Sequence, residues 1–233
     1  MAKSRKHEHP EDMLTRITRK TEQFIVKYLK TILLSVGAAV IIVAAYFIVQ
    51  YGLAIKEKSA ESLFSKVYLV YSSIESDFSL GEEELKDKLI SLNEDFKIVM
   101  EQYPKSAASS RSAYYIGNIL FRYGEFEEAL TYYGKGALIK PNNYSALLCI
   151  QGEASCYEQL GEYEKAEERY KRIISKHSDS FLVPMVRFSL AQIYEKQEKY
   201  EEARKQYNQI VSDYGWSSWA GLAEKKILVL KSS

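Results

Sequence analysis

The hydrophobic and polar positions of this chain follow two different patterns. Residues 31–55 form one uncharged, predominantly apolar run, whereas the chain after residue 58 mixes charged and apolar residues at helical spacing. An apolar helix of about 20 residues is long enough to cross a bilayer. An amphipathic helix buries only one face and needs neighbours to cover it. The pattern therefore predicts an all-α protein with an N-terminal transmembrane helix followed by a helical domain with its own core.

The charges beside the apolar run predict how it lies in the membrane. Eight basic residues precede the run, and only Lys56 and Lys58 follow it closely. Positively charged flanks stay on the cytoplasmic side. We therefore expect residues 1–30 to form a basic cytoplasmic segment and residues 56–233 to lie outside the cytoplasm. In a bacterium this describes a single-pass protein of the inner membrane with a periplasmic domain.

A cleaved signal peptide is the alternative to a permanent anchor. The apolar core of a signal peptide has about 7–15 residues and ends in small residues. The run here is longer, and its distal half carries Tyr46, Phe47 and Ile48. We therefore expect an uncleaved signal anchor, and no cysteine stands directly after the run to hold a lipid. Residues 11–30 have a partly apolar stripe, which fits a helix on anionic lipids or a cytoplasmic docking helix.

The second region repeats with a period of 37 residues. An alanine recurs at Ala129, Ala166 and Ala203. Three positions before it stands an aromatic residue, at Phe126, Tyr163 and Tyr200, and four positions after it stands a tyrosine, at Tyr133, Tyr170 and Tyr207. One period earlier stand Leu92 and Phe96, which indicates a fourth, more divergent unit. Each unit is predicted to be two antiparallel helices, with Gly124 or Gly161 in a left-handed turn between them. One such pair cannot bury its apolar face alone, so the units should stack into a solenoid.

These positions resemble the tetratricopeptide repeat (TPR) family. In that family a small residue in the first helix precedes a glycine turn, an aromatic residue, an alanine, a second aromatic residue and a closing proline. The matching residues are Gly117, Gly124, Phe126, Ala129, Tyr133 and Pro141 in the first clear repeat, Ala154, Gly161, Tyr163, Ala166 and Tyr170 in the second, and Ala191, Tyr200, Ala203 and Tyr207 in the third.

The chain also departs from the family pattern. Its period is 37 residues instead of about 34, and Ser178 and Gly215 replace the closing proline. Glu153 stands where leucine is usual, and Ile173 and Ile210 stand where a small residue is usual. The resemblance implies a TPR-like solenoid of about four helix pairs with a C-terminal capping helix. Its units are expected near residues 59–109, 110–146, 147–183 and 184–217, with the cap at 218–231.

Charge and motifs argue against nucleic-acid binding and catalysis. Residues 1–30 carry eight bases and four acids, a net charge of +4, and residues 59–233 carry 22 bases and 26 acids, a net charge of −4. Binding to nucleic acid rests on neutralised phosphates, so we expect none. His177 has Ser178 and Asp179 beside it, but adjacency in a loop does not make a preorganised triad. We expect no enzyme, no cofactor and no metal.

The two cysteines, Cys149 and Cys156, are expected to be small core residues. They are seven positions apart in a predicted helix, which places them about 10 Å apart along its axis. A disulfide needs Cα atoms within about 7 Å, so we expect none between them. Zinc sites usually need four ligands, and no histidine lies near these two cysteines in the sequence.

The TPR resemblance further implies a partner-binding groove lined by the first helix of each repeat. Carried over position by position, its residues are Arg111, Tyr114, Asn118, Phe121, Arg122, Gln151, Ser155, Glu158, Gln159, Met185, Phe188, Gln192, Glu195 and Lys196. Phe121 and Phe188 could instead pack between helices. Trp216 and Trp219 either form a second contact patch or cap the core.

A short basic segment, one span and an extracytoplasmic TPR domain resemble the membrane-anchored TPR proteins associated with the bacterial Sec translocon. That resemblance implies protein partners: translocon subunits, periplasmic chaperones or exported clients. The alternative is a structural scaffold subunit of a trans-envelope machine, such as a flagellar motor collar or secretion apparatus. A third hypothesis is an accessory protein that recruits a cell-wall enzyme. The oligomeric state does not follow from the sequence.

Overall fold

The computed structural model of the chain describes residues 10–141 and 143–232. These residues are helical apart from short connections, and the prediction of an all-α fold is confirmed. The predicted cytoplasmic bases Lys3, Arg5 and Lys6 lie outside the described residues. The helices are α1 (Pro10–Glu75), α2 (Glu82–Gln102), α3 (Ala107–Arg122), α4 (Phe126–Ile139), α5 (Tyr144–Gln159), α6 (Tyr163–Lys176), α7 (Val183–Lys196), α8 (Tyr200–Asp213) and α9 (Ser218–Ser232).

The chain divides into two compact units, residues 1–54 and residues 55–233. In the first unit, α1 contains the apolar run, and the large apolar side chains of that run are exposed. By length and composition, one segment of α1 is able to cross a membrane. A signal sequence near an N-terminus passes the same test.

The second unit consists of paired helices in two layers. From α2 onwards each helix packs against the next, and α3 also packs against α5, as α7 does against α9. The odd-numbered helices therefore form one layer and the even-numbered helices the other. In the last turns of α1, Phe64 and Val67 are buried, and the Phe64 ring packs against Phe96 of α2 with centroids 6.0 Å apart. This arrangement is the helical solenoid that the 37-residue period predicted.

The repeated small and aromatic residues form the centre of each pair. Ala129, Ala166 and Ala203 are fully buried, which lets the backbones of neighbouring helices approach closely. The tyrosines four residues later, Tyr133, Tyr170 and Tyr207, are buried on the same helix face. One large aromatic core residue per repeat follows from this spacing.

The turns between paired helices use the left-handed backbone region. Gly124 has a φ of +83° and Gly161 a φ of +74°, as the sequence predicted. The equivalent position one period later is Glu198, whose φ is +59°. Because a side chain disfavours this region, the third turn closes at a steric cost that the two glycine turns avoid.

Candidate partner-binding groove

The layer of odd-numbered helices carries two open depressions that share a wall. The smaller one has a volume of about 150 Å³ and lies between α3 and α5, with Tyr114, Phe121 and Gln151 in its lining. The larger one, of about 460 Å³, extends from there to Glu61 of α1 and to Tyr144 at the start of α5. Tyr114 and Leu148 line both. We call the combined surface the α3–α5 groove.

The α3–α5 groove is mainly apolar and aromatic, with polar atoms at defined places. Tyr114, Leu148 and Gln151 are half-buried, so each has a packed base and a free upper surface. Tyr114 packs edge-on against Tyr115, with ring centroids 5.5 Å apart. Half-exposed aromatic side chains that are held rigidly are typical anchors of protein–protein contacts.

Both predicted arginines of the groove are already paired with α1. Arg111 forms an ion pair with Glu61, and its guanidinium lies over the Phe64 ring, 4.3 Å from the centroid. Arg122 donates two hydrogen bonds to the Glu75 carboxylate, at 2.6 and 3.2 Å. These pairs connect α3 to the last turns of α1. The two arginines therefore already hold α1 and α3 together, whether or not a partner is bound.

Several predicted groove residues accept hydrogen bonds from the repeat tyrosines. Asn118 accepts from the Tyr133 hydroxyl at 2.6 Å, Glu158 from Tyr170 at 2.7 Å, and Glu195 from Tyr207 at 2.5 Å. The Ser155 hydroxyl lies 3.4 Å from that of Tyr170. These polar atoms satisfy buried phenols, which would otherwise cost free energy. Burial raises the pKa of all three phenols, and the Glu158 and Glu195 carboxylates raise those of Tyr170 and Tyr207 further.

The two glutamates also pair with a lysine of the next odd-numbered helix. Lys196 of α7 lies 3.4 Å from the Glu158 carboxylate, and Lys226 of α9 lies 2.8 Å from that of Glu195. Each glutamate thus joins a tyrosine of its own repeat to a lysine of the next odd-numbered helix. At the equivalent position of the first repeat stands Phe121, which packs edge-on against Phe126 at 5.3 Å. The groove is therefore apolar at this position in α3 and ionic further along.

The remaining predicted residues differ in their exposure. Phe188 is buried and packs against Tyr207 and Trp219, with centroids 5.2 and 5.3 Å apart. It therefore lies in the core, as the alternative in the sequence analysis has it, and α9 packs over it through Trp219. Met185 and Gln192 are half-buried, whereas Gln159 is exposed at the end of α5.

The two tryptophans have different environments. Trp219 packs on the core through Phe188, as expected of a capping residue. Trp216 is 76% exposed, and its only aromatic neighbour among the described residues is Tyr214, at 6.5 Å. The expectation of a core cap therefore holds for Trp219 and not for Trp216.

Sequence reasoning missed two features of the groove. Leu148 lies one period after Arg111 and one before Met185, so the repeat itself could have identified it. The second is an aromatic cluster in which Tyr115 stacks on Phe96, 5.5 Å between centroids, and also contacts Phe64 and Tyr71. Burial, together with Tyr68, raises the pKa of Tyr115 to about 12. No sequence signal pointed to this cluster because Phe64 and Tyr71 lie outside the clear repeats.

The cysteines lie in the core of the repeats. Cys149 and Cys156 are both buried, and neither forms a disulfide. Burial raises the pKa of Cys149, and it raises that of Cys156 to about 12. Thiols in this environment remain protonated and unreactive at neutral pH. Among the described residues, no group of three or more His, Cys, Asp and Glu side chains could hold a metal ion.

The family comparison agrees with this geometry. The model of the tetratricopeptide repeat matches residues 146–214, which cover α5 to α8. This part of the chain is similar to the TPR family, and the stacked helix pairs form a TPR-like solenoid, a fold that is generally a non-catalytic scaffold for binding other proteins. No curated protein sequence matches the chain significantly.

Solved structures show the same fold at low identity. A tetratricopeptide repeat protein from Parabacteroides merdae is 22% identical with a TM-score of 0.56, over 75% of this chain and 61% of that protein. TPR-like repeats from Podosopora anserina, named for a kinesin light chain, are 14% identical with a TM-score of 0.57, over 74% and 86%. The apo form of RapI is 20% identical with a TM-score of 0.53, over 72% and 46%. This chain thus spans less than two thirds of the P. merdae protein and of RapI.

Proposed function

We propose that this protein is a membrane-anchored adaptor that binds a segment of a partner protein in the α3–α5 groove. Residues 31–55 span the membrane, and the TPR domain lies on the extracytoplasmic side, which is the periplasm in a bacterium. The charge difference across the run supports this orientation. The observation that carries the binding role is the α3–α5 groove, where Tyr114 and Leu148 line two adjoining depressions on the odd-numbered helices.

The chemistry of the groove favours a peptide with an apolar side chain and free backbone polar groups. Tyr114 and Leu148 offer apolar contact, while Gln151 offers an amide that can both donate and accept hydrogen bonds. The arginines beside them are paired with Glu61 and Glu75, so the groove has little uncompensated positive charge. Exported chains presented by a translocon, or a chaperone that receives them, have this chemistry.

Photo-crosslinking from the groove tests this proposal in intact cells. A benzophenone amino acid replaces Leu148, which is apolar and half-buried, and in a matched control it replaces Thr131, which is exposed on α4. We expect protein adducts from residue 148 that residue 131 does not give. Translocon subunits, chaperones and several exported proteins among the adducts would support the secretion role. Identical adducts from both positions would contradict binding in the groove.

A second candidate, a structural scaffold of a trans-envelope machine, has one observation in its favour. The last helix, α9, leaves Leu222, Leu228 and Val229 exposed. Terminal helices of a solenoid normally carry a polar outer face, so a stably bound subunit would explain this surface. A single abundant adduct from residue 148, with a stoichiometric complex on purification, would favour the scaffold over the secretion role.

A further inference from the structure

The loops from each even-numbered helix to the next odd-numbered helix lie along one edge of the TPR domain. We call this edge the near edge; its loops are residues 103–106, 140–143, 177–182 and 214–217. Side chains of successive loops meet along it. The Tyr144 and Phe181 rings are 5.0 Å apart, and the Tyr214 hydroxyl lies 3.5 Å from the carbonyl oxygen of Ser178.

Glu57, near the start of the second unit, lies at the near edge. Glu57 accepts a hydrogen bond from the Ala107 backbone N–H at 2.7 Å and pairs with Lys140 at 3.1 Å. Residue 57 follows the end of the apolar run by only two positions, which is roughly 3 Å of helix. The inference rests on the proposed function, in which residues 31–55 span a bilayer.

The near edge exposes large apolar side chains. Leu138 is 74% exposed, Phe181 63% and Trp216 76%. A single exposed apolar residue is ordinary on a protein surface, but these three occur at three successive loops of one edge. Aromatic residues are enriched where membranes meet water, since their rings sit well among the headgroups. The side chains thus match an interfacial environment.

The charges of the two edges differ strongly. With the four-residue helix turns on either side of each loop, the near edge carries three bases and three acids, and its net charge is zero. The opposite edge, counted in the same way over its loops at residues 76–81, 123–125, 160–162 and 197–199, carries 15 acids and four bases, a net charge of −11. Anionic lipids repel such an edge. The neutral, aromatic edge is therefore the one that a membrane surface tolerates.

We propose that the near edge binds to the headgroup region of a bilayer. Leu138, Phe181 and Trp216 enter the interface, and the acidic edge faces away from the membrane. In this orientation the α3–α5 groove lies beside the membrane surface. A chain that emerges from the bilayer would meet the groove first. A protein partner that covers the same three side chains is the competing explanation, and the experiment distinguishes the two.

Tryptophan fluorescence of the full chain in vesicles tests this contact. The chain has two tryptophans, so Trp219→Phe leaves Trp216 as the sole probe. Two further variants lack both native tryptophans and carry Phe181→Trp on the near edge or Phe78→Trp on the opposite edge. Phe78 is 98% exposed and serves as the matched control. The vesicles contain phosphatidylcholine and phosphatidylglycerol, with or without lipids brominated near the ester end of the acyl chain.

We expect brominated lipid to reduce the emission of Trp216 and of the tryptophan at residue 181, and their emission to be blue-shifted relative to detergent. The tryptophan at residue 78 should show neither change. Equal quenching at residues 78 and 216, or no quenching in protein that resists alkaline extraction from the vesicles, overturns the inference and leaves the anchor intact. Acrylamide quenching of Trp216 that falls only after an envelope extract is added would show that a protein covers the near edge, and it too would overturn the inference. If alkaline extraction releases the chain from the vesicles, the membrane anchor itself is contradicted, and the inference falls with it.

Discussion

Tyr133 packs so closely on Gly152 that a Cβ atom at residue 152 would lie 2.5 Å from the ring carbons Cε1 and Cζ. A Cβ at Gly117 would meet the same ring at 2.5 Å. Two glycines therefore let α3, α4 and α5 approach around one tyrosine, beneath the α3–α5 groove. One period later, Ala154 and Ser189 occupy the places of these glycines beside Tyr170. The helix backbones of the first clear repeat must therefore approach each other more closely than those of the second.

Gly152→Ala should destabilise the domain through this contact. Overpacking a well-packed core costs about 1–3 kcal/mol, and the Tyr133 ring is buried with its hydroxyl bonded to Asn118. Gly221→Ala is the matched control, because no atom lies within 4 Å of a Cβ there. Chemical denaturation of both variants measures the difference. Equal midpoints for Gly152→Ala and the unmodified protein would contradict the close packing.

Glu195→Ala should destabilise the last repeat more than Tyr207→Phe does. The glutamate accepts from Tyr207 and pairs with Lys226, so its removal leaves a buried hydroxyl unpaired, at a cost of about 1–3 kcal/mol. Replacing tyrosine with phenylalanine removes the hydroxyl itself and leaves no such unpaired group. A double-mutant cycle should show coupling of about 0.5–3 kcal/mol. Additive effects of the two substitutions would mean that the hydrogen bond contributes nothing to stability.

Glu198→Gly should stabilise the domain. Glu198 has a left-handed φ of +59°, which costs an L-residue roughly 1–2 kcal/mol, whereas glycine adopts it freely but loses more entropy on folding. We expect a gain of up to about 1 kcal/mol in the free energy of unfolding. Gly161→Ala at the equivalent turn should lose stability. A stability loss in Glu198→Gly would show that the side chain has a role that outweighs its backbone strain.

Stability should fall in alkaline solution. Burial raises the pKa of Tyr133, Tyr170 and Tyr207 above the ordinary value. Above about pH 10 the unfolded chain releases these phenolic protons while the folded chain keeps them. The folded state then binds more protons, so the free energy of unfolding decreases as pH rises through this range.

Denaturation at about pH 8 and about pH 11, on either side of the ordinary phenol pKa, checks this expectation. Phenolate absorbance should appear together with unfolding. Tyr207→Phe should reduce the slope, because one buried phenol is absent. A stability that does not change over this interval would show that the three phenols titrate normally in the folded protein.

Glu57→Ala should loosen the start of α3. The carboxylate accepts from the Ala107 N–H and pairs with Lys140. Burial opposes its charge, but these two interactions outweigh burial, and the pKa of Glu57 is lowered. Loss of a side chain that satisfies a helix N-terminus costs about 0.5–2 kcal/mol. Hydrogen exchange at residues 107–109 should accelerate, while exchange within α7 stays unchanged; uniform acceleration would indicate global destabilisation instead.

The stabilisation that the Glu57 interactions provide should also depend on pH. A lowered pKa in the folded state means that this stabilisation is present above the unfolded pKa of about 4.3 and is lost as pH falls through the folded value. At neutral pH, Glu57→Gln should therefore behave like the unmodified protein at a pH low enough to protonate Glu57. Exchange in Glu57→Gln that matches the unmodified protein at every pH would contradict a role for the charge.

The repeated core was predictable because it depends on residues one period apart. Ala129, Ala166 and Ala203 are fully buried as their spacing indicated. The groove was less predictable. Arg111 and Arg122 were expected to face a partner, but each pairs with a glutamate 50 or 47 positions earlier, at Glu61 or Glu75. No periodicity relates these residues, since α1 lies before the clear repeats.

The sequence by itself determined the helical class, the apolar run, the left-handed turns at Gly124 and Gly161 and the core position of the repeat tyrosines. These features follow from hydrophobic period and backbone sterics, which act within one repeat. Only the tertiary structure decided which polar side chains are already paired, that Phe188 is covered by α9, and that Leu138, Phe181 and Trp216 lie on one edge. Those outcomes depend on how separate repeats stack, and contacts between distant residues are set by three-dimensional packing that no local pattern encodes.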